Sequence, residues 1–234
     1  MGKNVFIVFA HPERNSLNGC LLDVLVDQLT SQGDHVKVSD LYRMKWKSEV
    51  DIADFPAYPA DQKFNPELAS KNHTANGTLT KDVVEEQQKL LWADTILFVF
   101  PIWWFNLPAI LKGYIDRVFS NGFAYNYSEH PELSDPQVLK TKTVSGRNAS
   151  LVVTLGGSPE NAYKPDKPGD PNEVVSKLLS ATLSRNVLHI QFSHMNLLCP
   201  LYVRQRNPHA YTLEAPPPIS LSRPNSHFPS LIFK

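Results

Sequence analysis

Residues 94–119 read DTILFVFPIWWFNLPAILKGYIDRVF, and the way this stretch divides decides the fold. Its first seven residues are apolar at odd and even positions alike, so a strand made from them has no wet face; strands of that kind belong to parallel sheets covered by helices on both sides. From 107 onward the period changes. Leu111, Tyr114, Ile115, Val118 and Phe119 recur at helical spacing, with Lys112, Asp116 and Arg117 on the other side. Asn106 is the expected cap of that helix and Pro108 an expected first-turn residue. Between strand and helix stand Trp103, Trp104 and Phe105, where a connection normally turns polar.

The same alternation extends in both directions. NVFIVFA (4–10), HVKVSDL (35–41) and ASLVVTL (149–155) read as further strands, and MNLLC (195–199) as a fifth. SLNGCLLDVLVDQL (16–29), KDVVEEQQKLLWA (81–93) and NEVVSKLLSATLSRNVLHI (172–190) carry helical periods. Strands alternating with helices predict a doubly wound parallel α/β sheet of five strands. Residues 42–80, rich in charge and proline, fit no clean βα unit. Residues 201–234 hold Pro208, Pro216 to Pro218, Pro224 and Pro229, which forbid long helices and favour extended or disordered chain. The expected organisation is one domain over 1–200 and a proline-rich tail over 201–234.

Across 234 residues, 23 basic side chains balance 23 acidic ones, which argues against a nucleic-acid partner. Cys20 and Cys199 belong to no Cys/His cluster, so neither a disulfide framework nor a metal site is expected, and a reducing compartment is. No stretch of about 18 apolar residues is present to span a bilayer, and the apolar run before His11 is too brief for a secretory core. The expectation is a cytoplasmic protein with no membrane association.

In an open α/β sheet, ligands bind outside the carboxyl ends of the strands, so three loops matter most. The first, HPERNSLN (11–18), can aim backbone N–H groups and the Asn15 and Ser16 side chains at an anion, helped by the helix dipole. It has neither G-x-G-x-x-G nor a P-loop signature, and taken alone it also reads as a simple helix cap beside a hydrogen-bonded histidine. The second, PIWWFNLP (101–108), can wall in a flat heterocycle while N–H groups from Ile102 to Phe105 meet its carbonyls and ring nitrogens; packing under a loop or at a subunit interface is the alternative. The third follows Thr154, where Gly156 and Gly157 let backbone approach a ligand closely. Tyr163 can donate to a ligand atom that gains negative charge. Phe123, Tyr125 and Tyr127 alternate in a patch suited to stacking on a planar substrate or packing across a dimer.

The blocks VFIVFAHPERNSLN, PIWWFNLPAILKGYIDRVFSNGFAY and TLGGSPENAY, and more loosely NVLHIQFSHMNLLCP, resemble the cytosolic NAD(P)H:quinone oxidoreductases of the DT-diaphorase type, which are flavodoxin-like FAD enzymes. The resemblance covers residues 1 to about 200. It implies a flavodoxin-like sheet of order 2-1-3-4-5 and a homodimer with one FAD per subunit near the interface, FMN being the other possible flavin. NAD(P)H and a quinone would take turns at the flavin in a ping-pong, two-electron hydride transfer. By this likeness His11, Leu17 and Asn18 hold the diphosphate and adenosine end of the FAD. Pro101, Ile102, Trp103, Trp104, Phe105, Thr154, Leu155, Gly156 and Gly157 contact the flavin, and Tyr125 and Tyr127 line the substrate pocket across the dimer. Tyr163 matches the catalytic tyrosine beside the pyrimidine edge of the flavin.

Two features depart from the family pattern. Pro168 stands where mammalian members place a relay histidine or asparagine, and no proton relay runs through a proline. The sequence after Pro200 does not resemble the family's continuation. These departures favour one alternative, a non-catalytic flavodoxin-like dimer with a regulatory role; a second alternative keeps the flavin but changes the acceptor to an azo or nitro compound or a metal chelate.

Overall fold

A computed structural model describes residues 2–125 and 147–154, and the backbone of 203–207 and 210–213. The chain divides into two units, Met1–Leu198 and Cys199–Lys234. In the first, β1 (Asn4–Phe9) leads through α1 (Leu17–Ser31) to β2 (His35–Asp40). A short 3-10 turn (Ile52–Asp54), α2 (Pro66–Asn76) and α3 (Lys81–Trp92) precede β3 (Thr95–Pro101), which is followed by α4 (Ala109–Val118) and β4 (Asn148–Thr154). The strands form one parallel sheet in the order β2-β1-β3-β4. The expected fifth strand at 195–199 and the helix at 172–190 lie outside the described residues. In the second unit, β5 (Val203–Asn207) and β6 (Ala210–Leu213) pair antiparallel, with an irregularity in register between Gln205 and Asn207.

The two-sided burial read from residues 94–100 is what the core shows. Phe6 and Val8 of β1, with Ile96, Phe98 and Phe100 of β3, pack with Leu90, Leu111, Tyr114 and Val118 of α3 and α4. The alternate residues Val5, Ile7, Phe9 and Val99 pack with Leu22 of α1 on the opposite face. Each large apolar side chain buried in these layers contributes about 1.5–3 kcal/mol of transfer free energy. Gly113 permits one close approach: a Cβ there would lie 1.9 Å from the Ser48 carbonyl oxygen, so α4 can lie against the segment after β2 only if this position has no side chain.

Residues 42–80, which fit no clean βα unit by sequence, hold α2. Its start and stop have local causes. The Asn65 side chain accepts from the N–H groups of Glu67 and Leu68, Pro66 sits in the first turn, and Gly77 closes the helix at φ 67°. The apolar period is weak here, which is why the caps were the only legible signal. Two buried ionic clusters fasten the elements around α2. Glu86 of α3, fully buried, accepts from Ser39 Oγ at 2.8 Å and Tyr114 Oη at 3.1 Å and pairs with Lys89, joining β2, α3 and α4. Arg117 of α4 donates to Asp54 at 3.0 Å and Asp82 at 2.7 Å and lies over the Trp46 ring at 4.6 Å.

Candidate functional site

Parallel pairing puts the carboxyl ends of β1, β3 and β4 side by side, and three contacts join the loops that leave them. Ile102 N–H donates to the Thr154 carbonyl at 2.9 Å, so the aromatic loop and the end of β4 share one edge. The Asn18 side-chain amide donates to Thr154 Oγ1 at 2.7 Å, bringing in the first turn of α1. The His11 and Trp103 rings stand 6.2 Å apart, tilted by 58°. The sequence-predicted residues His11, Asn18, Ile102, Trp103 and Thr154 are thereby brought together. Leu17 adjoins Asn18 at the start of α1, and Pro101 ends β3 in register with Thr154.

The aromatic loop is a two-residue turn. Trp103 N–H donates to the Asn106 carbonyl at 3.1 Å and Asn106 N–H returns to the Trp103 carbonyl at 3.0 Å. The central residues, Trp104 and Phe105, have φ of 50° and 57°, the type I′ pattern that ordinarily takes Asn-Gly. Left-handed backbone costs an L-residue about 1–2 kcal/mol, and here two bulky aromatics adopt it in succession. Their side chains gain little burial in return, Trp104 being 92% exposed and Phe105 54%. Strain held without packing points to a ligand-facing role. The turn also narrows the expected donor set: Ile102 and Trp103 spend their N–H groups inside the protein, so Trp104 and Phe105 carry the N–H groups left for a ligand. Asn106 does not cap α4 as the sequence suggested. Its backbone closes the turn, its side chain accepts from Leu107 N–H at 2.8 Å, and α4 starts after Pro108 without a side-chain cap.

At α1, Ser16 caps by accepting from Gly19 N–H at 3.2 Å, which leaves the N–H groups of Leu17 and Asn18 to be satisfied from outside the helix. His11 Nδ1 lies 3.0 Å from Glu13 N and 2.9 Å from the Glu13 carbonyl oxygen, so the Glu13 backbone holds the imidazole in either tautomer. Asn18 is 3% exposed, and its Oδ1 is buried without a partner. Because the Thr154 hydroxyl both donates and accepts, half a turn of the Asn18 amide keeps that bond and places two N–H donors where the orphaned oxygen lies. The position therefore suits an anion such as a phosphate at the positive end of α1.

Tyr125 is placed elsewhere. With Val50, Asp54, Phe55, Pro66, Glu67 and Arg117 it lines a cavity of about 370 Å³, and none of the loop residues above is among the walls. Burial pushes the Tyr125 hydroxyl pKa up, and the neighbouring Glu67 and Asp116 carboxylates add to the rise. Phe123, grouped with Tyr125 in the sequence reading, is a core residue at 6% exposure. Its alternation with the tyrosines separates a buried position from an exposed one. Tyr127, Leu155, Gly156, Gly157, Tyr163 and Pro168 lie outside the described residues. Among the described residues no cluster of three His, Cys, Asp or Glu side chains is arranged to hold a metal, and no helix is long and apolar enough to cross a membrane. Sequence reasoning missed Arg14 and Gly19, which shape the first loop. Gly19 inside an otherwise apolar helical period was the available signal.

The profile of the flavodoxin-like fold family matches residues 3–204. A ribosyldihydronicotinamide dehydrogenase-like protein of Penicillium crustosum is 52% identical over 157 residues, which is 67% of this chain and 59% of that protein. The chain thus spans less than two thirds of that relative's length. Mouse ribosyldihydronicotinamide dehydrogenase (quinone) is 41% identical over 174 residues, 72% of this chain and 70% of the enzyme. A solved structure assigned to the quinone reductases, from Klebsiella pneumoniae, superposes with a TM-score of 0.73 at 40% identity, covering 81% of this chain and 73% of its own. On these matches the chain belongs to the flavodoxin-like fold family and, within it, to the group of the NAD(P)H:quinone oxidoreductases and ribosyldihydronicotinamide dehydrogenases (quinone).

Proposed function

We propose that this protein is a flavin-dependent oxidoreductase that takes hydride from NAD(P)H and passes it to quinones or similar planar acceptors, with FAD as the preferred flavin. The observation that supports the reading is the bond from Ile102 N–H to the Thr154 carbonyl, which puts the aromatic turn and the end of β4 at one edge of the sheet. A bound flavin would supply the two-electron chemistry. The residues of the chain would bind and orient it. Trp103 and His11 form a side wall, and the Trp104 and Phe105 N–H groups face the ring edge, where donors stabilise whatever negative charge develops. Leu17 N–H, Asn18 N–H and the Asn18 amide suit the diphosphate, which favours FAD over a flavin without that group. By the family likeness Thr154, Leu155, Gly156 and Gly157 continue the backbone wall and Tyr163 adds a donor.

A homodimer is part of this reading. Ile52, Leu68 and Tyr125 are large and exposed, and Tyr125 sits on a cavity separate from its own chain's cleft, as a residue serving a partner's site would. Tyr125 and Tyr127 would then line the substrate pocket across the interface.

The test is an absorbance titration of the full chain with FAD and with FMN, followed by anaerobic NADH or NADPH. The expected outcome is a yellow complex, tighter with FAD, whose visible band bleaches on reductant and returns on adding a quinone. A protein that stays colourless with added flavin would remove the proposal. Trp104→Ala is expected to lower flavin content, whereas Tyr163→Phe keeps flavin and slows bleaching.

A further inference from the structure

The first loop holds an arrangement the cofactor reading does not use. Arg14 Nη1 donates to the Gly19 carbonyl at 2.7 Å and to Asp23 Oδ2 at 3.2 Å, and Arg14 Nη2 pairs with Asp23 Oδ1. The Arg14 carbonyl lies so near α1 that a Cβ on Gly19 would come within 1.8 Å of it. Backbone and side chain of one residue therefore both rest on the first turns of α1 at Gly19. The same first turn carries the Leu17 and Asn18 N–H groups. Helix ends fray, and donors on a frayed turn lose entropy when they order on a ligand. Arg14 reduces that loss in advance by bonding to Gly19 and Asp23.

We infer that Arg14 and Asp23 are positioning residues for a diphosphate-bearing ligand: neither touches it, and together they fix the first turn of α1, whose N–H groups do. This rests on the proposed flavin reading, and it predicts that the Arg14 bonds matter for the phosphate end of the cofactor and not for the ring. The competing role, in which Arg14 leaves Asp23 to bind the phosphate directly, makes the opposite prediction for Asp23. Removing the Asp23 charge would then free Arg14 and tighten binding.

The experiment is flavin-fluorescence titration of the full-length protein with FAD and with riboflavin, which has no phosphate. Wild type is compared with Arg14→Ala, Arg14→Lys and Asp23→Asn, and the melting temperature is recorded for each. The expected result is a rise in the FAD dissociation constant of about tenfold for Arg14→Ala, with smaller rises for Arg14→Lys and Asp23→Asn, as found for residues that orient a ligand's direct contacts. Riboflavin affinity and melting temperature stay at wild-type values. Tighter FAD binding by Asp23→Asn overturns the inference in favour of direct phosphate contact. An equal loss of riboflavin and FAD affinity, or a fall in melting temperature, overturns it in favour of a merely structural role. Wild-type affinity in all three variants overturns it while leaving the flavin reading in place, and a wild type that binds no FAD removes both.

Discussion

Two tryptophans of this chain meet opposite fates. Trp46 follows Lys45, a residue at φ 52°, and is buried at 6% exposure against Tyr114, ring centroids 5.3 Å apart, and beneath the Arg117 guanidinium. Trp104 itself has φ 50° and stands 92% exposed. Both regions bend the backbone through its left-handed range. In the first the bend seats an indole in the core and is offset by packing. In the second the bend faces outward, and no packing among the described residues offsets it. The molecule therefore holds one left-handed bend that is packed and one that is not, and the second is the one the proposed function uses.

This contrast can be broken by mutation. Trp46→Ala should have the largest effect, a loss of about 3–5 kcal/mol in chemical unfolding, with a matching fall in soluble yield; a loss below 1 kcal/mol would show that the indole is not a core element. The next effect is a pH dependence. Burial, and then the Glu86 carboxylate, hold the Tyr114 hydroxyl pKa well above its ordinary value. A folded pKa above the unfolded one gives a stability contribution that is present below the unfolded pKa of about 10 and lost as pH rises beyond it. Denaturant midpoints should therefore fall steeply above about pH 10, and Tyr114→Phe should flatten that limb while costing about 1–2 kcal/mol at neutral pH for the lost hydrogen bond. The smallest change sharpens the contrast. Trp104→Gly relieves the left-handed backbone, so stability should hold or rise by up to about 1 kcal/mol while flavin binding weakens. Loss of stability in this variant would mean that the indole packs on its own chain.

Much of this was legible in the sequence. The two-sided apolar run at 94–100 dictated a covered parallel strand, and β1 to β4 fall within a residue or so of the expected segments. A general rule about strand ends singled out the loops after β1, β3 and β4, and the structure brings His11, Ile102 and Trp103 of those loops to one edge of the sheet; Asn18 came from the family likeness. What was not legible depended on contacts between distant residues. Glu86 and Lys89 read as ordinary polar positions of an amphipathic helix, because the Ser39 and Tyr114 hydroxyls that make Glu86 burial tolerable are 47 and 28 residues away. Asn106 carried a good capping signal, but the turn used its backbone and left its side chain bonded to Leu107. The left-handed pair Trp104-Phe105 was hidden because nothing in two aromatic residues announces a conformation usually left to Asn-Gly.

The unpartnered end of the Asn18 amide has a consequence beyond recognition. A polar group buried without a hydrogen bond, beside the Leu17 and Asn18 N–H groups, costs the empty protein stability at the point where β4 meets α1. By mass action, any molecule that fills this gap shifts the folding equilibrium. On the flavin reading, newly made chains in a vitamin-starved cell would therefore be cleared faster than those in a replete one, and steady-state abundance would track riboflavin supply without any change in transcription.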